Sequence, residues 1–354
     1  MRDARWMLYG ATGYTGQLVV EQAAAHGHRP VLAGRDESQL RQLGRRYGFK
    51  YAAFPLDDVT TIARYTAEVE LVYHAAGPFT YTADPMIRAC LATHTHYLDI
   101  TGEIHVFENT FRYDEVASKT GVALISGVGF DVIPSDCLAA YVAAQVPHAR
   151  TLEIGVQALT QVSAGTARSL LEMLPQGAQV RRDGRIVSQP LGRAAKDIPY
   201  LNGTRRSIPI PWGDIATAYR TTRIPNITAY MPFPPRVLAL ARVGGAMAGL
   251  LRSARLRRLI GALLDRTITG PDAEARAAGR STLYARASDE IGGSAEAWLE
   301  TAEGYEFTAL AAIPVIERTL AEAPTGALTP ALAFGADFVL EIPHTTRYDR
   351  LPRV

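Results

Sequence analysis

The sequence predicts an α/β protein: an N-terminal doubly wound parallel sheet followed by a second α+β domain containing antiparallel strands. Three observations carry that reading. Short apolar strands alternate with helical spacing through the first third of the chain. A glycine triplet stands at the first strand–helix junction. Beyond about Gly129 the alternation stops, and two runs flanking Gly292-Gly293 read as a β-hairpin.

Arg5 to Tyr9 is a short apolar strand, and Gly16 to His26 a helix with Leu18, Val19 and Ala23 on one face. Pro30 to Ala33 is a second strand, Glu37 to Tyr47 a second helix, and Tyr51 to Pro55 a third strand. Leu71 to Ala75 follows a polar helix as the fourth strand. Asp84 to Thr93 is helical, Tyr97 to Asp99 strand-like, Phe107 to Thr120 helical, and Val122 to Ser126 a buried strand. Repeated β–α order of this kind implies a parallel sheet with helices on both faces. After it, Pro134 to Val146 reads as a helix with proline in its first turn. Thr151 to Thr160 alternates as a half-buried strand, and Ala164 to Leu174 is helical. Val180 to Pro211, rich in Gly, Pro and Arg, has no clear period. Ser281 to Ser288 and Ser294 to Thr301 form the hairpin, and Tyr305 to Ala323 a helix. The expected domains are 1–130 and 131–324, with 325–354 packing back on the first.

With 354 residues the chain suits two cores. Its 47% hydrophobic and 20% charged residues are those of a globular protein, and a net charge of +2 gives no reason to expect nucleic acid as a partner. Cys90 and Cys137 fit reduced thiols in a cytoplasmic protein. No apolar leader stands in Met1 to Tyr9, so no secretory signal is expected there.

The triplet Gly10, Gly13 and Gly16 lies in Tyr9-Gly10-Ala11-Thr12-Gly13-Tyr14-Thr15-Gly16. In a Rossmann domain such glycines permit the tight turn, the close approach of a pyrophosphate and the packing of helix on strand. Free N–H groups at the helix start then bind the phosphates. The second strand ends Gly34-Arg35-Asp36. An acidic residue here usually binds the ribose 2′-hydroxyl of NAD, whereas Arg35 can pair with the 2′-phosphate of NADP. The expected cofactor is therefore NADP(H), with Asp36 on a ribose hydroxyl as the alternative. Asp57, after the third strand, either accepts a bond from the adenine amino group or caps a helix. Ala76, Gly77 and Pro78, after the fourth strand, form a small-residue loop that passes the dinucleotide.

Hydride transfer to a small-molecule substrate also needs a proton donor or a stabiliser of developing charge. Residues just beyond the strands are the candidates: His74, Tyr97 and Asp131, with Asp99 and Glu103 read rather as loop braces and Asp131 having helix capping as its other role. His94 and His96 lack the further ligands a metal site needs, so no metal is expected.

With these residues in view, the chain resembles the saccharopine dehydrogenase-like oxidoreductases. The motifs are Gly10 to Gly16, Ala33-Gly34-Arg35, Ala76-Gly77-Pro78-Phe79, His96 to Glu103 and Gly129 to Asp136, strongest over residues 5–145. Gly270-Pro271 with Arg276, Gly304-Tyr305 with Thr308, and Thr329-Pro330-Ala331 extend it weakly. His74 and Val132 depart from the family pattern, which has asparagine and serine there. The resemblance implies an NADP-binding domain, a second α+β domain, and either C–N dehydrogenation or trans-acting enoyl reduction, with length and the Gly-Phe-Asp motif closer to the enoyl branch. Paired arginines for an imine substrate's carboxylates could come from Arg168, Arg205, Arg206 or Arg223. A non-catalytic NADP-binding sensor is the alternative of another class. Residues 232–266 combine apolar runs with seven arginines, and read as a pocket wall, a homodimer contact or a peripheral membrane contact.

Overall fold

The computed structural model describes residues 5–158, 163–167, 177–190, 194–233, 260 and 270–352. By contacts the chain divides into Met1–Asp131 with Tyr305–Phe334, and Val132–Gly304 with Gly335–Val354. The long helix beginning at Gly304 thus groups with the first unit, although its place in the sequence assigned it to the second. Gly335–Val354 groups with the second unit, not with the first.

The first unit is built on a seven-stranded parallel sheet. In chain order it contains β1 (Trp6–Tyr9), α1 (Tyr14–Ala25), β2 (Val31–Gly34), α2 (Glu37–Tyr47), β3 (Tyr51–Ala53), α3 (Val59–Thr66), β4 (Leu71–His74), α4 (Phe79–Thr93), β5 (His96–Asp99), α5 (Ile104–Phe111), α6 (Asp114–Thr120) and β6 (Ala123–Ile125). Its strand order is β15-β6-β5-β4-β1-β2-β3, the last member β15 (Gly326–Leu328) coming from far along the chain. Every residue of β1, β4 and β6 is buried, because helices cover both faces. Met7, Tyr9, Val72, Tyr97 and Leu124 occupy one face and pack with Ile62, Met86, Ile87, Cys90 and Val106 of α3, α4 and α5. β15 pairs in parallel with β6, and Asp114 at the start of α6 accepts a bond from Ala327 N at 2.9 Å.

Two helices differ from the sequence expectation. α4 starts at Phe79, not Asp84, because the distant Glu103 carboxylate accepts from Phe79 N at 3.0 Å and Thr80 N at 2.8 Å. The expected helix over 107–120 is two, broken at Arg112-Tyr113, where the Tyr113 hydroxyl donates to Asp84 Oδ1 at 2.7 Å.

The second unit holds α7 (Ile133–Ala144) and a nine-stranded mixed sheet. Its strands are β7 (Thr151–Gln157), β8 (Ala178–Arg182), β9 (Arg185–Gln189), β10 (Lys196–Tyr200), β11 (Gly203–Pro209), β12 (Asn226–Pro232), β13 (Arg280–Ser288), β14 (Ser294–Ala302) and β16 (Thr346–Tyr348), with α8 (Asp214–Thr222) before β12 and α9 (Ala273–Ala278) before β13. Only β12–β7 is parallel. β13 and β14 form the expected hairpin, closed by Asp289 Oδ1 accepting from Ile291 N and Gly293 N. Leu152, Ile154, Val156, Leu283, Ala285 and Leu299 bury one face, and α7 packs on these strands. The other face carries Tyr200, Tyr230, Tyr284 and Trp298. The unassigned Val180 to Pro211 supplies β8 to β11. There the buried hydrophobics are spread over Val180, Ile198, Tyr200, Ile208 and Ile210, and a buried arginine, Arg181, donates to Ile215 O at 2.7 Å while Arg182, Arg185, Arg205 and Arg206 are solvated, so the alternation is too thin to read. Two helices complete the described elements, α10 (Gly304–Glu322) and α11 (Pro330–Phe334). Among the described residues no helix is long and apolar enough to cross a membrane. Residues 234–259 and 261–266 of the 232–266 stretch lie outside the described residues.

Candidate active site

The glycine loop joins β1 to α1. Gly10 has φ +91, and a Cβ there would stand 2.8 Å from Ala75 C and 2.9 Å from Ala76 N. The loops after β1 and β4 therefore pass backbone against backbone. A Cβ on Gly16 would run into the Gly10 carbonyl oxygen, so α1 sits tight on the turn. Gly13 is the N-cap and donates to Gly10 O at 3.0 Å. No side chain caps α1, and its first turn holds no acidic residue. Asp36 caps α2, Asp58 caps α3, and Glu103 serves α4. Of these four helices α1 alone keeps its N-terminal dipole for an outside anion. Thr12 and Thr15 are half-buried beside it, and the Tyr14 ring meets Tyr305 of α10 edge-on at 5.0 Å. This arrangement fits a dinucleotide's diphosphate.

At the adenosine end, Gly34 closes β2 and Arg35 is exposed beyond it. Asp36 is engaged elsewhere: its carboxylate accepts from Gln39 N at 3.1 Å, Ser38 Oγ at 2.6 Å and Gln39 Nε2 at 2.9 Å, bonds that hold it below the usual carboxylate range. Asp36 is thereby occupied as the cap of α2, while Arg35 beside it is exposed. The helix-capping alternative for Asp57 falls to its neighbour Asp58, which accepts from Thr61 N at 2.8 Å. Asp57 is exposed. Both charges act on Tyr9, whose hydroxyl donates to Phe54 O at 2.8 Å. Burial pushes its phenol up to about 12, with Arg35 opposing and Asp57 adding to the rise. Arg35→Ala is expected to lower the preference for NADPH over NADH about ten- to a hundredfold, the value of one charge-assisted bond. Paired titrations with the two nucleotides check this, and an unchanged ratio refutes it.

The 75–78 loop continues β4. Thr82 Oγ1 donates to Ala76 O at 2.8 Å, which holds the loop to the first turn of α4. Ala76, Gly77 and Pro78 remain partly or fully exposed, and the Gly77–Pro78 peptide is cis.

Two expected proton donors are corrected by burial. His74 is wholly enclosed among the rings of Tyr9, Phe79 and Tyr97, with Nε2 at 3.0 Å from Thr82 Oγ1. Desolvation pushes its pKa down to about 3, so the imidazole is neutral and out of reach of a substrate. Tyr97 is equally buried, and its hydroxyl donates to Asp99 Oδ2 at 2.8 Å. Burial first, and then the Asp99 carboxylate, drive that phenol far up. In the parallel register His74 stands beside Tyr9 and Asp99, and Tyr97 beside Val72. Their side chains enter the helix-covered face rather than the open edge.

Asp99 and Glu103 brace loops, as expected. Asp99 Oδ1 accepts from Thr101 N and Gly127 N, both at 3.0 Å, and Oδ2 accepts from Ser126 Oγ at 2.9 Å as well as from Tyr97. Desolvation still outweighs these bonds and lifts its carboxyl to about 6. His94 Nδ1 lies 3.1 Å from Thr120 O and His96 Nδ1 accepts from Ala123 N, so backbone occupies the histidine pair.

Asp131 is different. It follows β6 in the loop Ser126 to Val132, half-buried, and its side chain has no hydrogen-bond or ionic partner among the described residues. Burial alone raises its carboxyl to about 6. The cap of α7 is Val132, with no side-chain bond, so helix capping is not the task of Asp131. Gly102, which lies against its carboxylate, and Thr308, which holds Phe130 N, carry no local site signal in the sequence, Thr308 standing only in a weak family motif.

Residues 6–125 match the family model described as the saccharopine dehydrogenase NADP binding domain. A trans-acting enoyl reductase of Mycobacterium tuberculosis is 27% identical over 410 residues, covering 97% of this chain and 96% of that protein. The trans-acting enoyl reductase of Mycobacterium leprae is 33% identical over 143 residues, 38% of this chain and 34% of that protein. Apo saccharopine dehydrogenase (L-Glu forming) of Saccharomyces cerevisiae shares the fold, with a TM-score of 0.65 at 14% identity, covering 98% of this chain and 99% of that one. Residues 6–125 are therefore similar to a saccharopine dehydrogenase NADP-binding domain, and the chain is an NADP-dependent oxidoreductase.

Proposed function

We propose that the chain reduces the carbon–carbon double bond of an enoyl substrate, with the Asp131 carboxyl delivering the proton. The observation that carries this is the unpartnered, half-buried Asp131, whose raised pKa keeps a transferable proton near neutral pH. Its position just past the C-terminal end of β6 is where an open α/β sheet receives ligands. NADPH, when bound at the α1 amides, would supply the hydride. The Oδ of protonated Asp131 gives its proton to the α-carbon, and the carboxylate is reprotonated from water, so the substrate gains two hydrogens. The amides at the start of α1 hold the diphosphate, Arg35 the 2′-phosphate, and the 75–78 loop passes the dinucleotide. Asp57 is proposed at the adenine.

The mycobacterial relatives are trans-acting enoyl reductases, which supports the enoyl reading. The amino-acid imine reading wants carboxylate-binding arginines. Arg205 and Arg206 are instead exposed on β11, with Arg206 3.4 Å from Asp197. Arg223 is exposed, and Arg168 lies outside the described residues. Cys90 and Cys137, buried and unpaired, support a reducing, cytoplasmic setting.

The test follows NADPH oxidation with 2-enoyl thioesters of N-acetylcysteamine beside linear and cyclic imines. Turnover is expected with the thioesters alone. Turnover confined to imines replaces this reading, and tight NADPH binding with no turnover on either class favours the non-catalytic sensor.

A further inference from the structure

Asp131 has no side-chain partner among the described residues, yet the chain on both sides of its carboxylate is fixed. On one flank Phe130 N donates to Thr308 Oγ1 of α10 at 3.0 Å. Gly129 lies flat on the same residue, for a Cβ there would stand 3.0 Å from Thr308 Cγ2. The Phe130 ring meets Phe307 edge-on at 6.0 Å. On the other flank Gly102 leaves the space that the carboxylate occupies, since a Cβ at Gly102 would stand 2.9 Å from Asp131 Oδ2. The Gly102 loop and the 126–128 turn are both gathered by Asp99, which accepts from Thr101 N, Ser126 Oγ and Gly127 N through its side chain, and from Val128 N at 2.7 Å through its carbonyl.

We propose that Thr308 and Asp99 are positioning residues that set where the Asp131 carboxylate stands, acting through the backbone of the two loops. A group that must deliver a proton to one carbon needs fixed geometry. A direct hydrogen bond would fix it but would also occupy the carboxyl. Holding the backbone on both sides fixes the position and leaves both oxygens open. Both anchors are remote in sequence from Asp131, and both are buried. This inference rests on the proposed role of Asp131.

Thr308→Val keeps the side-chain shape and removes the acceptor for Phe130 N, and Thr308→Ser restores it. With the enoyl thioester, Thr308→Val is expected to lower kcat about tenfold or more, as small misplacements of a catalytic group do. NADPH affinity should stay that of the wild type, and Thr308→Ser should recover the lost rate. Asp99→Asn, which keeps size but turns one acceptor into a donor, is expected to act in the same direction. A second readout needs no substrate. In protein labelled with carbon-13 aspartate, the Asp131 carboxyl signal is assigned by its loss in Asp131→Asn. Its titration should lie well above the ordinary carboxylate range in the wild type and in Thr308→Ser, and fall towards that range in Thr308→Val. Wild-type turnover and titration in Thr308→Val overturn the proposal. So does loss of NADPH binding in that variant, which marks a general structural role. Full activity of Asp131→Asn sinks the proposed function instead, while the carboxyl titration still decides the positioning role.

Discussion

Gly10→Ala is expected to reduce NADPH affinity by about a hundredfold or more. Two costs coincide there. The φ of +91 is strained for any side chain, at roughly 1–2 kcal/mol. The added Cβ would also stand 2.8 Å from Ala75 C, a backbone atom that cannot rotate away. Relief comes only by parting the loops after β1 and β4. Those loops aim the α1 amides and carry the 75–78 segment, so the diphosphate cradle opens with them. A fluorescence titration with NADPH beside a melting curve checks this. Near-wild-type affinity in a folded Gly10→Ala protein shows that the turn does not hold the nucleotide.

Asp131→Asn is expected to lower kcat by about 10²- to 10⁴-fold, the usual contribution of a positioned acid. NADPH affinity should be unchanged. Wild-type kcat/KM should decline as pH rises through about 6, because only the protonated carboxyl can donate. That decline should be absent from the residual activity of the variant. Stability runs in parallel. A carboxyl raised in the folded state binds its proton more tightly there than in the unfolded chain. Its contribution is complete below the ordinary carboxylate pKa and is lost as pH rises through the folded value. Asp131→Asn should therefore be the more stable protein at pH 8, by about 1–3 kcal/mol, with the gap closing near pH 4. Equal kcat in variant and wild type defeats the proton-donor role. A melting point lowered at pH 8 contradicts the desolvation that raises the carboxyl.

How far the sequence led depended on the distance between partners. The phosphate turn was legible because its glycines, their strand and their helix lie within Trp6 to Ala25, and the local spacing states the geometry. The exposed place of Arg35 just beyond β2 was legible for the same reason. The start of α4 was not, because the carboxylate that begins it is Glu103, 24 residues beyond Phe79. The anchor of Phe130 lies 178 residues away in Thr308. His74 and Tyr97 failed for another reason. Both stand at or near strand ends, where reactive groups gather, but strand parity decides which way a side chain faces. Parity in a fully buried parallel sheet leaves no polar alternation to read. Asp131 escaped that ambiguity because it lies outside any strand.

The short strand Gly326–Leu328 has a consequence for synthesis. It completes the border of the first sheet beside β6, yet it leaves the ribosome about two hundred residues later, after the intervening Val132–Gly304 segment. Until then a nascent chain would display the β6 border with its peptide groups unsatisfied, a template for mispairing with other chains. A product cut short before Gly326 keeps every glycine of the nucleotide turn and still carries that bare margin, so its weakness would be sticking to its own kind rather than losing its cofactor.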